Sequence, residues 1–284
     1  MITQIPRLPT KKSKEEIQFY IKYGCDFNSI LLEMKGLIED GYLQGKGLEE
    51  EFNRKLIQKF RGKDFLLPFF VQRNHNDEPF GYATCISVND VVAHGRPGEG
   101  DWIYKEDIIS IDCGVALRYK DQNKFLNFDA AFTARYGKKT IGDEWFVAPQ
   151  AALNFIQTSR PSDTYGIAKL IELTRKNFND NRDYNLSSVV ALTGHGIGYA
   201  LHEPPAIHNM PGQYLNVDLF EGLVFCAEPI FVKSKKGSIC STYIGEDGWK
   251  VLTASGEPSS HFETMYAIVD GQITDLIGVS EWEF

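Results

Sequence analysis

The sequence predicts an α+β fold made of two similar halves, and three observations carry that expectation. Amphipathic helical stretches come as an early pair and a middle pair; apolar stretches rich in β-branched and aromatic residues follow each pair; charges, Gly or Pro bound those stretches. A chain of 284 residues, 43% of them hydrophobic, is long enough to bury one large core. We therefore expect a single domain over 1–284, with a short N-terminal extension over about residues 1–12. No internal sequence repeat is visible, so any symmetry between the halves belongs to structure.

In chain order, the first helix is expected over 13–35. Ser13 can cap it with Glu16 three residues on, and Ile17, Tyr20, Ile21, Phe27, Ile30, Leu31 and Met34 form its apolar stripe. A second helix fits 48–60, where Leu48, Phe52, Leu56 and Phe60 recur every fourth residue. Strand character follows in EDIISIDCGVALRY and KFLNFDAAFTARYG. The middle helices fit 142–159 and 163–178, and GLVFCAEPIFV and HFETMYAIVDG are again strand-like. KSKKGSICSTYIGEDGWK reads as an edge hairpin or loop.

Composition removes several classes of function. A formal net charge of -8 argues against wrapping the phosphate backbone of DNA. The five cysteines, at 25, 85, 113, 226 and 240, form no Cys-x-x-Cys pair, so neither a disulfide scaffold nor a thiolate zinc knuckle is expected. With no apolar leader at the start and no run of eighteen apolar residues, the expected setting is the cytoplasm, away from the membrane.

Acids placed inside apolar stretches carry the chemistry. Asp112 interrupts IISIDCGVAL, Asp129 interrupts FLNFDAAF, Glu228 interrupts LVFCAEPIFV and Glu263 lies in HFETMYAIV. Any one of them is as readily a strand-end hydrogen-bonding group. Together, four carboxylates drawn into apolar strands would repel one another unless a positive centre compensates them. With His195, they form an acid-rich, thiolate-free donor set with one imidazole, which suits two divalent ions such as Mn, Fe, Co or Zn.

His195 and His202 stand seven apart in TGHGIGYALHEPP. A regular strand would point them to opposite faces, and Gly194, Gly196 and Gly198 disfavour a helix. The glycines call for tight turning or close backbone approach, either of which can aim both rings into one cavity. His94, before Gly95 in SVNDVVAHGRP, belongs at a strand-to-loop exit; His75 and His208 are read as structural.

These stretches together resemble the type I methionine aminopeptidases of the pita-bread metallopeptidase family. The matching segments are CISVNDVVAHGRP, IISIDCG, FDAAFT, TGHGIGYALHEPP, AEP and FET. The resemblance implies two pseudo-symmetric α+β halves around a central curved antiparallel sheet. It implies that Asp112, Asp129, His195, Glu228 and Glu263 hold two divalent ions (Mn, Fe, Co or Zn), with Asp129 and Glu263 bridging. A water or hydroxide shared by the ions would attack the amide, Glu228 would shuttle its proton, His94 would contact the scissile amide and His202 would stabilise the carbonyl oxygen. Phe80, Cys85, Leu201 and Trp249 would wall the methionine pocket, Leu201 standing where an aromatic residue is common.

The implied reaction is hydrolysis after an N-terminal initiator methionine followed by a small residue. The implied substrates are nascent or newly made polypeptides, with the ribosome a candidate partner, and the protein is expected to be a monomer. Departures from the family's pattern are the seventeen-residue spacing of Asp112 and Asp129, which implies a lengthened hairpin over 118–127, the divergent region 41–80, an extended 233–250, and His261 where glutamine is frequent. Competing readings are an X-Pro aminopeptidase or dipeptidase of the same fold, and a non-catalytic binding protein derived from it. SVNDVVAHG favours methionine removal, and the five filled ligand positions favour an enzyme.

Overall fold

A computed structural model of the chain describes residues 8–98, 102–120, 123–142, 144–182, 184–234 and 239–284. Helix α1, Lys14–Asp40, starts at the expected capping box: the Ser13 hydroxyl accepts from the Glu16 N–H, and the Glu16 carboxylate accepts from the Ser13 N–H at 2.8 Å. It runs five residues beyond the expected end, because Ile38 continues the buried stripe, and stops at Gly41 with φ 72°. Helix α2, Gly45–Lys59, begins earlier than expected. Gln44 precedes it and spends its side chain on both backbone groups of Ile103, at 2.8 and 3.1 Å.

Strands β1 (Phe65–Leu66), β2 (Thr84–Val88), β3 (Val91–Ala93), β4 (Ile108–Arg118) and β5 (Phe125–Arg135) follow. β4 lies between β1 and β2 and also pairs with β5. The β4–β5 ladder is unbroken from Ile108↔Arg135 to Arg118↔Phe125. Much of the extra spacing between Asp112 and Asp129 is thus taken up as paired strand; of the expected loop, Asp121 and Gln122 lie outside the described residues.

Helices α3 (Ala148–Ser159) and α4 (Thr164–Arg182) open the second half. The expected helix over 142–159 starts late because residues 145–147 form a 3-10 turn, after which Pro149 sits in the first turn of α3. The remaining strands are β6 (Leu186–Val189), β7 (Gly194–Gly196), β8 (Glu203–Ile207), β9 (Val224–Ala227), β10 (Ile230–Lys233), β11 (Ile239–Cys240), β12 (Thr242–Ile244), β13 (Val251–Thr253), β14 (Ser259–His261), β15 (Thr264–Val269) and β16 (Gln272–Asp275). The expected hairpin of the 233–250 region is β12 paired with β13; residues 235–238 lie outside the described residues.

Two stretches expected as single strands are each divided, and this corrects the placement of two acids. β9 pairs with β7 and β15, whereas β10 pairs with β6 and β14. The chain changes sheet at Glu228–Pro229, where proline has no N–H to extend a ladder, and again at Phe262–Glu263. Glu228 and Glu263 therefore sit at crossings between sheets, not inside strands. At the second crossing a lone bridge joins Glu263 to Ala131 of β5, with the Glu263 N–H donating at 2.8 Å. That bridge joins the two halves. The main core spans both, with Phe27, Phe128, Phe132, Phe225 and Tyr266 all buried in it.

Candidate metal centre

The β4–β5 register builds the first side of the site. Asp112 faces Ala131 and Gly114 faces Asp129, so the two aspartates lie diagonally on one face. Their side chains hydrogen-bond each other, and the Cys85 thiol, opposite Asp112 on β2, also bonds that carboxyl. The sheet crossings supply the second side. His195 Nε2 lies 3.9 Å from Asp129 Oδ2 and 3.8 Å from Glu228 Oε1. Ligand atoms of Asp129, His195, Cys226 and Glu263 lie within 4.8 Å of one another.

Polar atoms converge here with nothing to bond. Asp112 Oδ1, Asp129 Oδ1, Glu263 Oε1 and His261 Nε2 are shielded from solvent and have no hydrogen-bond partner. Such groups cost about 1–3 kcal/mol each, more when charged. Burial above all pushes every carboxyl up: Asp112 to about 7, and Asp129, Glu228 and Glu263 well above their ordinary range, with mutual repulsion adding to the last three. Burial also drives His195 down to about 3, and neighbouring His202 adds to it. Acids that resist ionising beside imidazoles that resist protonation are what a site shaped around an external cation presents. The donor set fits divalent metal ions.

His195 is prepared as a ligand by its own backbone. Its Nδ1 lies 3.0 Å from the Gly196 carbonyl, which can only accept. The proton is therefore on Nδ1, leaving the Nε2 lone pair facing the acids. The flanking glycines serve close approach, not left-handed turning. A Cβ on Gly194 would lie 2.3 Å from the Cys226 carbonyl oxygen, and one on Gly196 2.1 Å from that of Pro204. A bulge between His195 and Gly196 shifts the β7–β8 register. The outcome is that His195 and His202 come together edge to face, with ring centroids 4.5 Å apart. His202 is exposed, at the mouth of the site.

His94 follows β3 with φ 57° and hydrogen-bonds the Trp249 backbone. This is the strand exit expected of it. Phe80 and Trp249 meet edge to face at 5.0 Å, and Phe80, Cys85, Leu201 and Trp249 are all buried in the main core. α2, from the divergent 41–80 region, anchors this wall: Glu49 accepts from the Ala83 N–H at 2.7 Å and the Thr84 N–H at 3.1 Å, fixing the start of β2 beside Cys85. His75 is exposed, and His208 stacks on Tyr214 at 3.6 Å, so neither joins the site.

Three features escaped the reading of the sequence. The expected thiolate-free set has a thiol beside it, Cys226, since β9 ends next to Glu263. Burial first, then Glu263 and Asp129, push this thiol far up, so it stays protonated and acts as a hydrogen-bond partner of Glu263 rather than a thiolate. His261, noted only as a departure, has its ring in the cavity; its spacing of two from Glu263 was the available signal. The third is a buried ion pair, Lys12–Glu203 at 2.8 Å. Glu203 also accepts from the Tyr199 and Ala200 N–H groups and from Thr10, while the Lys12 N–H donates to Gly222 at 2.7 Å. The end of the expected extension is thereby fastened to the loop that carries His202.

Comparison with known proteins agrees with this geometry. Residues 48–270 match metallopeptidase family M24. The methionine aminopeptidase of Borreliella burgdorferi is 33% identical over 238 residues, covering 78% of this chain and 86% of that one. The methionine aminopeptidase of Mycoplasma capricolum is 33% identical over 269 residues, covering 92% and 96%. The crystal structure of the Thermotoga maritima methionine aminopeptidase superposes with a TM-score of 0.76 at 25% identity, covering 95% of this chain and 99% of that one.

Proposed function

Because this chain belongs to metallopeptidase family M24, we propose that it is a metal-dependent aminopeptidase that removes the N-terminal methionine from newly made polypeptides. The observation that carries the reading is the convergence of Asp112 and Asp129 from one half with His195, Glu228 and Glu263 from the other, around buried oxygens that lack partners. These five side chains would hold two divalent ions (Mn, Fe, Co or Zn), whose charge would acidify a water and polarise the scissile carbonyl.

The chain's own groups do the rest. Glu228, with its pKa raised by burial and by Asp112 and Asp129, holds a proton that a free carboxylate would lose near neutral pH. It takes the proton of the attacking water and hands it to the leaving amine. His202 donates to the carbonyl oxygen as negative charge develops there. His94, with its ring braced on the Trp249 backbone, contacts the scissile amide. Phe80, Cys85, Leu201 and Trp249 form the apolar wall for an unbranched methionine side chain, with the Phe80–Trp249 contact fixing one side of it.

Among the described residues no helix is long and apolar enough to cross a membrane. A monomer acting in the cytoplasm, at or near the ribosome, is the setting this reading gives it. The test is peptide hydrolysis by chelator-stripped protein reloaded anaerobically with Mn, Fe, Co or Zn. Free methionine from Met-Gly-Met-Met, dependent on added metal, is expected. Release from Ala-Pro-Ala alone would replace the reading with X-Pro cleavage, and metal binding without release from either peptide would replace it with a binding protein.

A further inference from the structure

His261 stands outside the five side chains assigned above, yet its ring is held rigidly against them. It ends β14, where it pairs with Ile230. Its N–H donates to Thr133 Oγ1 at 2.9 Å, and its carbonyl accepts from the same hydroxyl at 2.8 Å, so β5 grips its backbone from the side opposite the ladder. The residue is only 3% exposed, which leaves the ring no room to swing outward.

From this anchored position Nε2 lies 4.0 Å from Glu228 Oε2 and 3.9 Å from Glu263 Oε2. Neither separation is a hydrogen bond, and Nε2 is buried without a partner. Two donors that each stand about 2.0–2.2 Å from one ion can be up to about 4 Å apart, so both gaps suit a shared cation. The arrangement repeats that of His195, whose Nε2 is 3.9 Å from Asp129 and 3.8 Å from Glu228. Glu228 thus lies between two imidazoles, Oε1 toward His195 and Oε2 toward His261. Among the described residues, these imidazoles are the basic side chains within ion-pairing distance of Glu228 and Glu263.

We propose that His261 is a metal ligand through Nε2, so that two histidines and four carboxylates hold the centre in place of one histidine and four carboxylates. The inference rests on the metal-centre reading and deepens it. An added imidazole favours Zn, Co and Fe over Mn, because nitrogen donors suit those ions better than the oxygen-preferring one.

Protein labelled with [15N]histidine and loaded with 113Cd counts the ligands directly, since a coordinated ring nitrogen is split by the metal nucleus. Splitting is expected at two histidines, one signal disappearing in His261→Gln and the other in His195→Gln. Calorimetry should show Zn binding weakened at least about tenfold in His261→Gln, with Mn binding weakened less. Splitting at a single histidine that persists in His261→Gln, or unchanged Zn affinity in that variant, overturns the assignment of His261 and leaves the five-residue centre standing. Failure of the wild-type protein to take up any metal overturns both. The wild-type spectrum counts the ligands even if the variant does not fold.

Discussion

His195 and His202 share a motif and touch edge to face, yet their surroundings divide their work. His195 is buried with Nδ1 committed to the Gly196 carbonyl, while His202 is exposed at the mouth. His202→Ala should therefore lower kcat about 100-fold or more, the usual cost of losing a donor to a developing oxyanion, while calorimetric metal binding stays as in the wild type; an unchanged kcat would remove His202 from the reaction. The acids lend themselves to a pH test. In chelated protein Asp112 has a folded pKa of about 7 against an ordinary value of 3.8, mainly because it is buried. The folded state then binds more protons than the unfolded state between those values, so stability falls as pH rises from about 4 through about 7. Asp129, Glu228 and Glu263 act with the same sign. Denaturant midpoints of chelated protein should drop across that window, and a rise would contradict the burial of these acids. Divalent metal should restore more stability at the alkaline end.

At the level of elements, close backbone packing decides where the site residues go. A Cβ on Gly198 would lie 2.0 Å from Lys12 Cε, so the glycine-rich loop and the chain start are packed as one unit. Lys12 and Glu203 have side chains 0% and 1% exposed. Removing one partner of such a pair leaves the other charge buried, at a cost of about 3–5 kcal/mol. Lys12→Met should reduce unfolding free energy by roughly that lower figure, and should reduce kcat more than metal affinity because the loosened loop carries His202 and not the ligands. Equal stability in urea would show the pair to be expendable. At this scale the sequence was partly legible. The capping box, four helices and the β4–β5 hairpin followed from periodicity, whereas the breaks at Glu228–Pro229 and Phe262–Glu263 did not. Both breaks lie within apolar runs, and only the choice of partner strands makes the chain change sheets there.

Across the whole molecule, the metal centre is also a joint. Asp112 and Asp129 come from the first half, His195, Glu228 and Glu263 from the second, and the Ala131–Glu263 bridge is the backbone link beside them. Divalent ions should therefore stabilise the fold by about 2.7 kcal/mol at a free concentration one hundred times Kd. The matching rise in Tm should be absent in Asp129→Asn if that carboxylate helps hold the ions. The sequence by itself determined the α+β class, the four acids and the pairing of His195 with a second, different histidine. Those depend on local pattern, and a carboxylate inside an apolar run signals its own cost. Tertiary structure alone decided that Cys226 lies beside Glu263 as a thiol, that Lys12 reaches back to Glu203, and that His261 faces Glu228 and Glu263 with a bare nitrogen. Each of these depends on which distant strands pair and at what register, and a single residue's surroundings in sequence do not encode that.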